Sequence, residues 1–297
     1  MQRISAYVPC FNNAATLKRA VESIRNQTYP VDEILVIDDA STDSSPEIAS
    51  SLSVELVPLP AHSGRGAARA CAMERARNDL VLSLDASKEL PVAFLERAMT
   101  WLEDTRVAAV FGRIEPATNS TAVDRWSARH LFKSREVHQL DRKASLITAG
   151  ALVRKPAVLQ AGNFDRSMIQ AEDRDLGRRL LALGYDVIFD PELSARCLTS
   201  DTLCKALERY WRWNFLPEHA ISAGDYVRQV VYSIKVMAAR DLAAGEPASA
   251  LISLICPHYL LWRALTFKVR IHSRTSPQCH SEPSKARRRI SDRDAPP

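Results

Sequence analysis

The sequence predicts an α/β domain on a mostly parallel, doubly wound sheet flanked by helices, followed by a helical C-terminal extension. Three observations carry this. Through the first 112 residues short β-branched runs alternate with segments of helical periodicity, the spacing of βαβ units. Three of those runs end in polar or acidic loops, at the strand tips where sheets of this kind bind their ligands. Beyond about Thr199 the strand signals stop, and apolar residues recur at helical spacing through Arg270.

In chain order, Ile4–Val8, Glu33–Ile37, Val54–Val57, Leu80–Leu84 and Ala108–Phe111 read as strands. Helices fall between them. Asn12 or Asn13 can cap a helix on which Leu17, Val21 and Ile24 share one face. Pro46 suits the first turn of the next helix, and Ala67–Ala76 and Pro91–Leu102 supply two more. From about Glu115 to Ser145 the pattern is polar and irregular, except for an amphipathic segment around Val123, Trp126 and Leu131. A second α/β stretch then brings a strand over Leu146–Val153, helices over Lys155–Ala161 and Ala171–Leu183, and a strand over Val187–Phe189. The expected organisation is therefore a domain over residues 1–200 in two halves, 1–112 and 113–200. A helical extension over 201–271 follows, and then a basic, disordered tail over 272–297 that is rich in Ser, Pro and Arg.

Composition narrows the class. With 46% hydrophobic and 25% charged residues in 297, the chain is globular. The formal charge of +5 is concentrated at Lys285, Arg287, Arg288 and Arg289, which argues against a nucleic-acid binder with a basic folded face. Six cysteines without a C-x-x-C pair fit reduced thiols in the cytosol, and the N-terminus opens on a strand pattern without a hydrophobic leader. The most apolar run, Ala248–Phe267, is interrupted by Pro257, His258 and Arg263. It reads either as a packed helix or as a peripheral contact on the cytoplasmic face of a membrane, with Tyr259, Trp262, Lys268 and Arg270 at the interface.

Four segments carry candidate chemistry: Pro9-Cys10-Phe11-Asn12, Asp38-Asp39-Ala40-Ser41-Thr42-Asp43, Leu82-Ser83-Leu84-Asp85-Ala86-Ser87, and Ala171-Glu172-Asp173-Arg174-Asp175-Leu176. An acid at a helix start has a plain explanation, since it complements the macrodipole. Adjacent acids directly after an apolar strand are harder to dismiss, because sites gather at sheet tips. Each segment alone is weak evidence; their order and spacing together are specific.

Across residues 1–196 these segments resemble the family-2 glycosyltransferases. The likeness also runs through Gln27-Thr28, Gly64 and Arg69, then Thr148-Ala149-Gly150, Gly162-Asn163-Phe164-Asp165, Arg179 and Gly184-Tyr185. The resemblance implies the GT-A fold, a Rossmann-like sheet, and inverting transfer of a sugar from a nucleoside diphosphate sugar. The acceptor would be a glycan, a lipid-linked molecule or a small molecule. Residues 1–112 would bind the nucleotide and 113–200 the acceptor. Carried over by position, Pro9, Phe11 and Asn12 would line the nucleotide pocket, Asp38 or Asp39 would contact the nucleoside, and Arg69 would lie beside the nucleotide. Asp85 would hold a metal at the first position of the family's D-x-D, and Asp173 would be the catalytic base with Glu172 beside it. Such a transfer needs a base for the acceptor proton and a positive charge, normally Mg²⁺ or Mn²⁺, on the leaving diphosphate.

The pattern departs from the family at the metal. Ser87 stands at the second acidic position of D-x-D and Cys197 where a histidine is frequent; His62 and Ala70 replace common asparagines. Three readings stay open: a weakly held divalent ion on Asp85 and the phosphates, charge balance by Lys88, Arg65 or Arg69, or a binding module that has lost turnover. Arg212-Trp213 is the part of the processive enzymes' aromatic-basic motif that is present. Tyr210, Trp213 and Phe215 are expected to be a packed helix face. A nucleotidyltransferase would show a Gly-rich phosphate loop with a lysine near the N-terminus, unlike Pro9–Asn12.

Overall fold

The protein's structure, a computed structural model, describes residues 2–117, 121–133, 136, 138–214 and 222–274, with the backbone alone for 267–274. The basic run at 285–289, most of the expected tail and Phe215 lie outside the described residues.

Eight strands form one sheet among the described residues. They are β1 (Ile4–Cys10), β2 (Glu33–Asp38), β3 (Glu55–Pro58), β4 (Leu80–Leu84), β5 (Lys88–Glu89), β6 (Val107–Glu115), β7 (Gly150–Arg154) and β8 (Asp186–Cys197). Their order is β3-β2-β1-β4-β7-β6-β8-β5. The pairs β1–β2, β1–β4, β2–β3 and β6–β8 are parallel; β4–β7, β6–β7 and β5–β8 are antiparallel. The sheet is thus mixed, and β7 is the reversal that joins its two halves. The parallel strands read as continuous apolar runs because both their faces are covered. Ile4, Val8, Val36 and Leu82 pack towards the helices α1 (Ala14–Arg25), α2 (Ser45–Ser51) and α4 (Phe94–Leu102). Tyr7, Leu35, Ile37 and Val81 pack on the other face, against α3 (Arg65–Arg75), α6 (Lys155–Gln160) and α7 (Glu172–Ala182).

Two expected boundaries move for physical reasons. The strand read over Leu146–Val153 is ladder only from Gly150, because residues 146–149 leave the sheet to line the site. There the Thr148 carbonyl accepts from Ser83 Oγ at 2.7 Å and the Ala149 carbonyl from the Asp85 amide at 3.3 Å. The strand read over Val187–Phe189 runs on to Cys197, past a bulge between Phe111 and Arg113 of β6. Gly112 sits in that bulge, where a Cβ would meet the Leu193 carbonyl oxygen at 2.1 Å, so only glycine lets β8 pass this close. Asn13 occupies the N-cap position of α1 without a side-chain capping bond, while Pro46 stands in the first turn of α2 as expected.

The helical part has its own core. Helix α5 (Ala122–His130) donates Trp126 to a cluster with Leu207, Tyr210 and Trp211 of α8 (Leu203–Asn214), and with Ile252, Cys256 and Leu260 of α11 (Pro247–Arg274). Helix α9 (Ala223–Tyr232), a π-helical turn at Ser233–Ala238 and α10 (Ala239–Ala243) connect them. Asp241, fully buried in α10, bonds Arg129, His130 Nε2 at 2.8 Å and Ser253 Oγ at 2.6 Å, tying the extension to α5. Pro257 inside α11 has no amide to offer the Ser253 carbonyl one turn back. Ser233 Oγ of the π-helical turn donates to that carbonyl at 2.6 Å instead, so the tertiary packing satisfies the group the proline leaves open. Within α11, Pro247–Thr266 is long and apolar enough to cross a membrane by length and composition, yet 44% of it is buried in this fold.

Candidate active site

Three cavities lie in a row beyond the carboxyl ends of the parallel strands. The first, about 590 Å³, is lined by Pro9, Phe11, Asn13, Asp39, His62, Asp85 and Ser87 among others. Phe11, 40% exposed, stacks on His62 with ring centroids 3.9 Å apart, forming an aromatic wall of the kind a planar base can use. Asp39 forms the floor next to it. Its carboxylate accepts the Ser63 and Gly64 amides at 2.7 and 2.8 Å and lies 2.9 Å from His62 Nδ1. Asp38 does not line this cavity: one oxygen accepts the Ser41 amide at 3.2 Å, and the other, buried, has no hydrogen-bond partner among the described residues. Asn12 also turns aside, with a left-handed backbone (φ 54°) and its carboxamide oxygen accepting the Thr42 amide at 2.8 Å. Asn13 lines the cavity in its place.

Arg69 lies beneath the cavities, 2% exposed, and holds the carboxylates together. It donates to Asp85 Oδ1 at 2.7 Å, Glu172 Oε1 at 3.1 Å, Ser83 Oγ at 2.9 Å and Tyr7 Oη at 3.4 Å. Burial would raise the Asp85 pKa, but Arg69, Arg65 and Lys88 hold it below the usual carboxylate value. Tyr7 and Ser83 escape a reading by motif. Their signal is a polar group at the centre of an otherwise apolar strand, which needs a buried partner.

Asp173, in the first turn of α7, lines the other two cavities, of about 110 and 400 Å³. It accepts the Arg174 amide at 2.8 Å and, weakly, the Thr148 amide at 3.4 Å. Among the described residues no cation pairs with it. Burial, then the adjacent Glu172 charge, push its pKa above the usual value, against the pull of Arg69. The small cavity joins Asp173 to Asp85, Ser87 and Lys88, and Arg65 lines all three cavities. Arg212 and Trp213 of α8 face the same two cavities as Asp173. Tyr210 is core as expected, but Trp213 is 41% exposed and stands edge-on to Phe132, so the packed face excludes it.

The residues at the D-x-D position do not suit a divalent ion, which wants several hard oxygen ligands. Asp85 gives one oxygen to Arg69, Ser87 offers a neutral hydroxyl, and Cys197, buried, offers a thiol. Among the described residues no three His, Cys, Asp or Glu side chains converge on a point.

Residues 5–161 match the model for glycosyl transferase family 2, which is more than half of the chain. The chain belongs to glycosyltransferase family 2. This family-2 chain is 26% identical over 195 residues to glycosyltransferase AglE of Haloferax volcanii, covering 63% of this chain and 64% of that one. To the pre-mycofactocin glycosyltransferase of Mycobacterium tuberculosis it is 28% identical over 197 residues, covering 63% of this chain and 41% of the other. It thus spans less than two thirds of the length of these two relatives. To the O-antigen chain rhamnosyltransferase WbaN of Salmonella anatum it is 27% identical, with 71% of each chain covered. Among solved structures, the mannosyltransferase PcManGT of Pyrobaculum calidifontis, with GDP-Man and Mn²⁺, aligns at TM-score 0.51 and 18% identity over 93% of this chain and 76% of that one. TarS 1–349 of S. aureus with UDP-GlcNAc aligns at TM-score 0.53 and 16% identity over 91% of this chain and 76% of the other. These likenesses establish the GT-A fold.

Proposed function

We propose that the protein transfers a sugar from a nucleoside diphosphate sugar to a hydroxyl of a glycan or lipid-linked acceptor, with inversion and with Asp173 as general base. The observation that carries this reading is the position of Asp173: a carboxylate without an ion pair among the described residues, raised in pKa, on a cavity that shares Arg65, Asp85 and Ser87 with the Asp39 and Phe11 pocket. The base and ribose of the donor fit the 590 Å³ cavity, the diphosphate passes Asp85 and Ser87, and the acceptor enters beside Arg212 and Trp213. In the step itself Asp173 takes the acceptor hydroxyl proton while that oxygen attacks the anomeric carbon. The carbon–oxygen bond to the diphosphate breaks, and its electron pair leaves with the diphosphate. Glu172 acts through Arg69, since its buried carboxylate is already neutralised there. Nucleoside diphosphate release from a panel of UDP-, GDP-, CDP- and dTDP-sugars tests the reading. One donor should be consumed, and Asp173→Asn should cut turnover by about 10²–10⁴-fold while keeping the fold. Equal activity in the variant removes the base assignment; binding of the donor without any consumption favours a non-catalytic module.

We infer a peripheral membrane contact on the cytoplasmic face from one further observation. Val227, Val231 and Ile234 recur at helical spacing across α9 and the π-helical turn, as do Leu251, Ile255, Trp262 and Leu265 on α11, and all are exposed. Sedimentation with vesicles containing phosphatidylglycerol should carry down the full chain, and Leu251→Glu with Trp262→Glu should release it. No difference between them ends this inference.

A further inference from the structure

We propose that a fixed cluster of side-chain cations, Lys88 with Arg65 and Arg212, receives the donor diphosphate where a GT-A site would otherwise place a divalent ion. This rests on the donor pocket described above and names the charge that stabilises its leaving group.

Lys88 is the centre of the cluster. The chain turns sharply after β4, with the Lys88 amide donating to the Asp85 carbonyl at 2.9 Å and the Leu198 amide donating to the Ser87 carbonyl at 2.9 Å. Those bonds set the short strand β5 against β8 with Lys88 in register with Cys197. One side chain therefore stands beside both positions at which the resemblance leads one to expect metal ligands. The ammonium is 3.5 Å from Ser87 Oγ, and the residue is only 5% exposed. Lysines are almost never buried this far without an anion. Among the described residues no carboxylate lies within ion-pair distance of Lys88: Glu89, next in sequence, pairs with Arg19, and Asp85, whose carboxyl feels the Lys88 charge, is hydrogen-bonded by Arg69.

Four arginines line the same small cavity, and one of them, Arg209, is already paired with Asp201. Arg65 opens α3 and forms no ion pair among the described residues; its place in the first turn adds the positive end of that helix. Arg212 reaches in from α8 with a buried Nε that has no hydrogen-bond partner. Burial, then the charges of Arg65 and Arg209, lower its pKa against the pull of Glu208 and Asp201. Arg69 is excluded from this role because Asp85, Glu172, Ser83 and Tyr7 already occupy its donors. A multiply charged anion between Ser87 and Asp173 would pair Lys88, Arg65 and Arg212 at once. Donors fixed in advance also stabilise a leaving group without reorganising.

Calorimetric titration of the full chain with UDP, GDP, CDP and dTDP, each in MnCl₂ and in EDTA, tests this. The nucleotide that binds should do so with a Kd that differs by less than about two-fold between the two buffers, because fixed charges need no ion. Lys88→Met, which keeps the apolar stem, should weaken binding about 10- to 100-fold in EDTA, and Lys88→Arg should restore most of it. A wild-type affinity that falls ten-fold or more in EDTA overturns the proposal, and so does a folded Lys88→Met that binds as well as wild type. The buffer comparison uses only the wild-type chain and holds even if Lys88→Met fails to fold. Failure of all four nucleotides to bind in either buffer overturns the donor-pocket reading and the inference with it.

Discussion

Asp38–Asp39 at the tip of β2 and Glu172–Asp173 at the start of α7 are alike in sequence, two adjacent acids beside a buried element, and the fold uses them in opposite ways. In the first pair the acid that faces the cavity, Asp39, is the one saturated by donors: two backbone amides and the His62 ring. In the second, Glu172 is buried in an ion pair with Arg69, whereas Asp173, which lines both cavities, accepts one short and one long amide bond and has no ion pair among the described residues. The first pair therefore holds a loop and presents a carboxylate whose oxygens are already bonded. The second presents a carboxylate whose charged form is disfavoured, which is what a proton acceptor requires. Adjacent charges in a sequence do not share a role; the groups that reach each one decide it.

Arg69 underlies the second pair, so its loss is the largest test of the difference. Arg69→Met would leave Glu172 buried and unpaired at a cost of about 3–5 kcal/mol, read as a lower urea midpoint. An unchanged midpoint would mean that Arg69 is not what neutralises Glu172. Asp39→Ala strands the Ser63 and Gly64 amides and is expected to cost about 1.5–3 kcal/mol and to weaken nucleotide binding. Retained affinity in that variant would detach the first pair from the donor.

The third prediction concerns pH. Because the folded state raises the Asp173 pKa, it binds the proton more tightly than the unfolded chain does. The stability linked to Asp173 is then fully present at low pH and is lost as pH rises from the ordinary aspartate value, about 4, through the folded one. Asp173→Asn should melt higher than wild type at pH 7, with the gain closing towards pH 4. A variant less stable than wild type at pH 7 would contradict the desolvated carboxylate. Smallest of all, Asp38→Asn should change stability by less than about 1 kcal/mol and leave nucleotide affinity intact, since Asp38 lines no cavity described here. A loss of affinity on that substitution would place Asp38 rather than Asp39 at the nucleoside.

Much of this was legible in the sequence. The strand–helix alternation gives β1 to β4 and the helices between them, because both faces of parallel strands are buried and the apolar runs are unbroken. The acids at the strand tips mark the site for the same reason. What stayed hidden is long-range. That Asp39 rather than Asp38 meets the cavity depends on the backbone of residues 62–64, twenty-odd positions away. The partnership of Arg69 with Glu172 spans 103 positions, and the register of Lys88 with Cys197 exists only once β8 has crossed the bulge at Gly112. Trp213 could be read as core because helical periodicity assigns a face without saying what lies opposite it. In α8 one side meets the helical core and the other meets the cavities that Asp173 lines.

As the proposed base, Asp173 is tuned by burial and by the Glu172 charge beside it. The most direct measurement is the pH dependence of sugar transfer at saturating donor. An acid limb displaced above the ordinary aspartate value is expected, with residual turnover of Asp173→Asn that no longer shows it. A limb at the ordinary value, or an Asp173→Asn enzyme with the wild-type rate and profile, would contradict it.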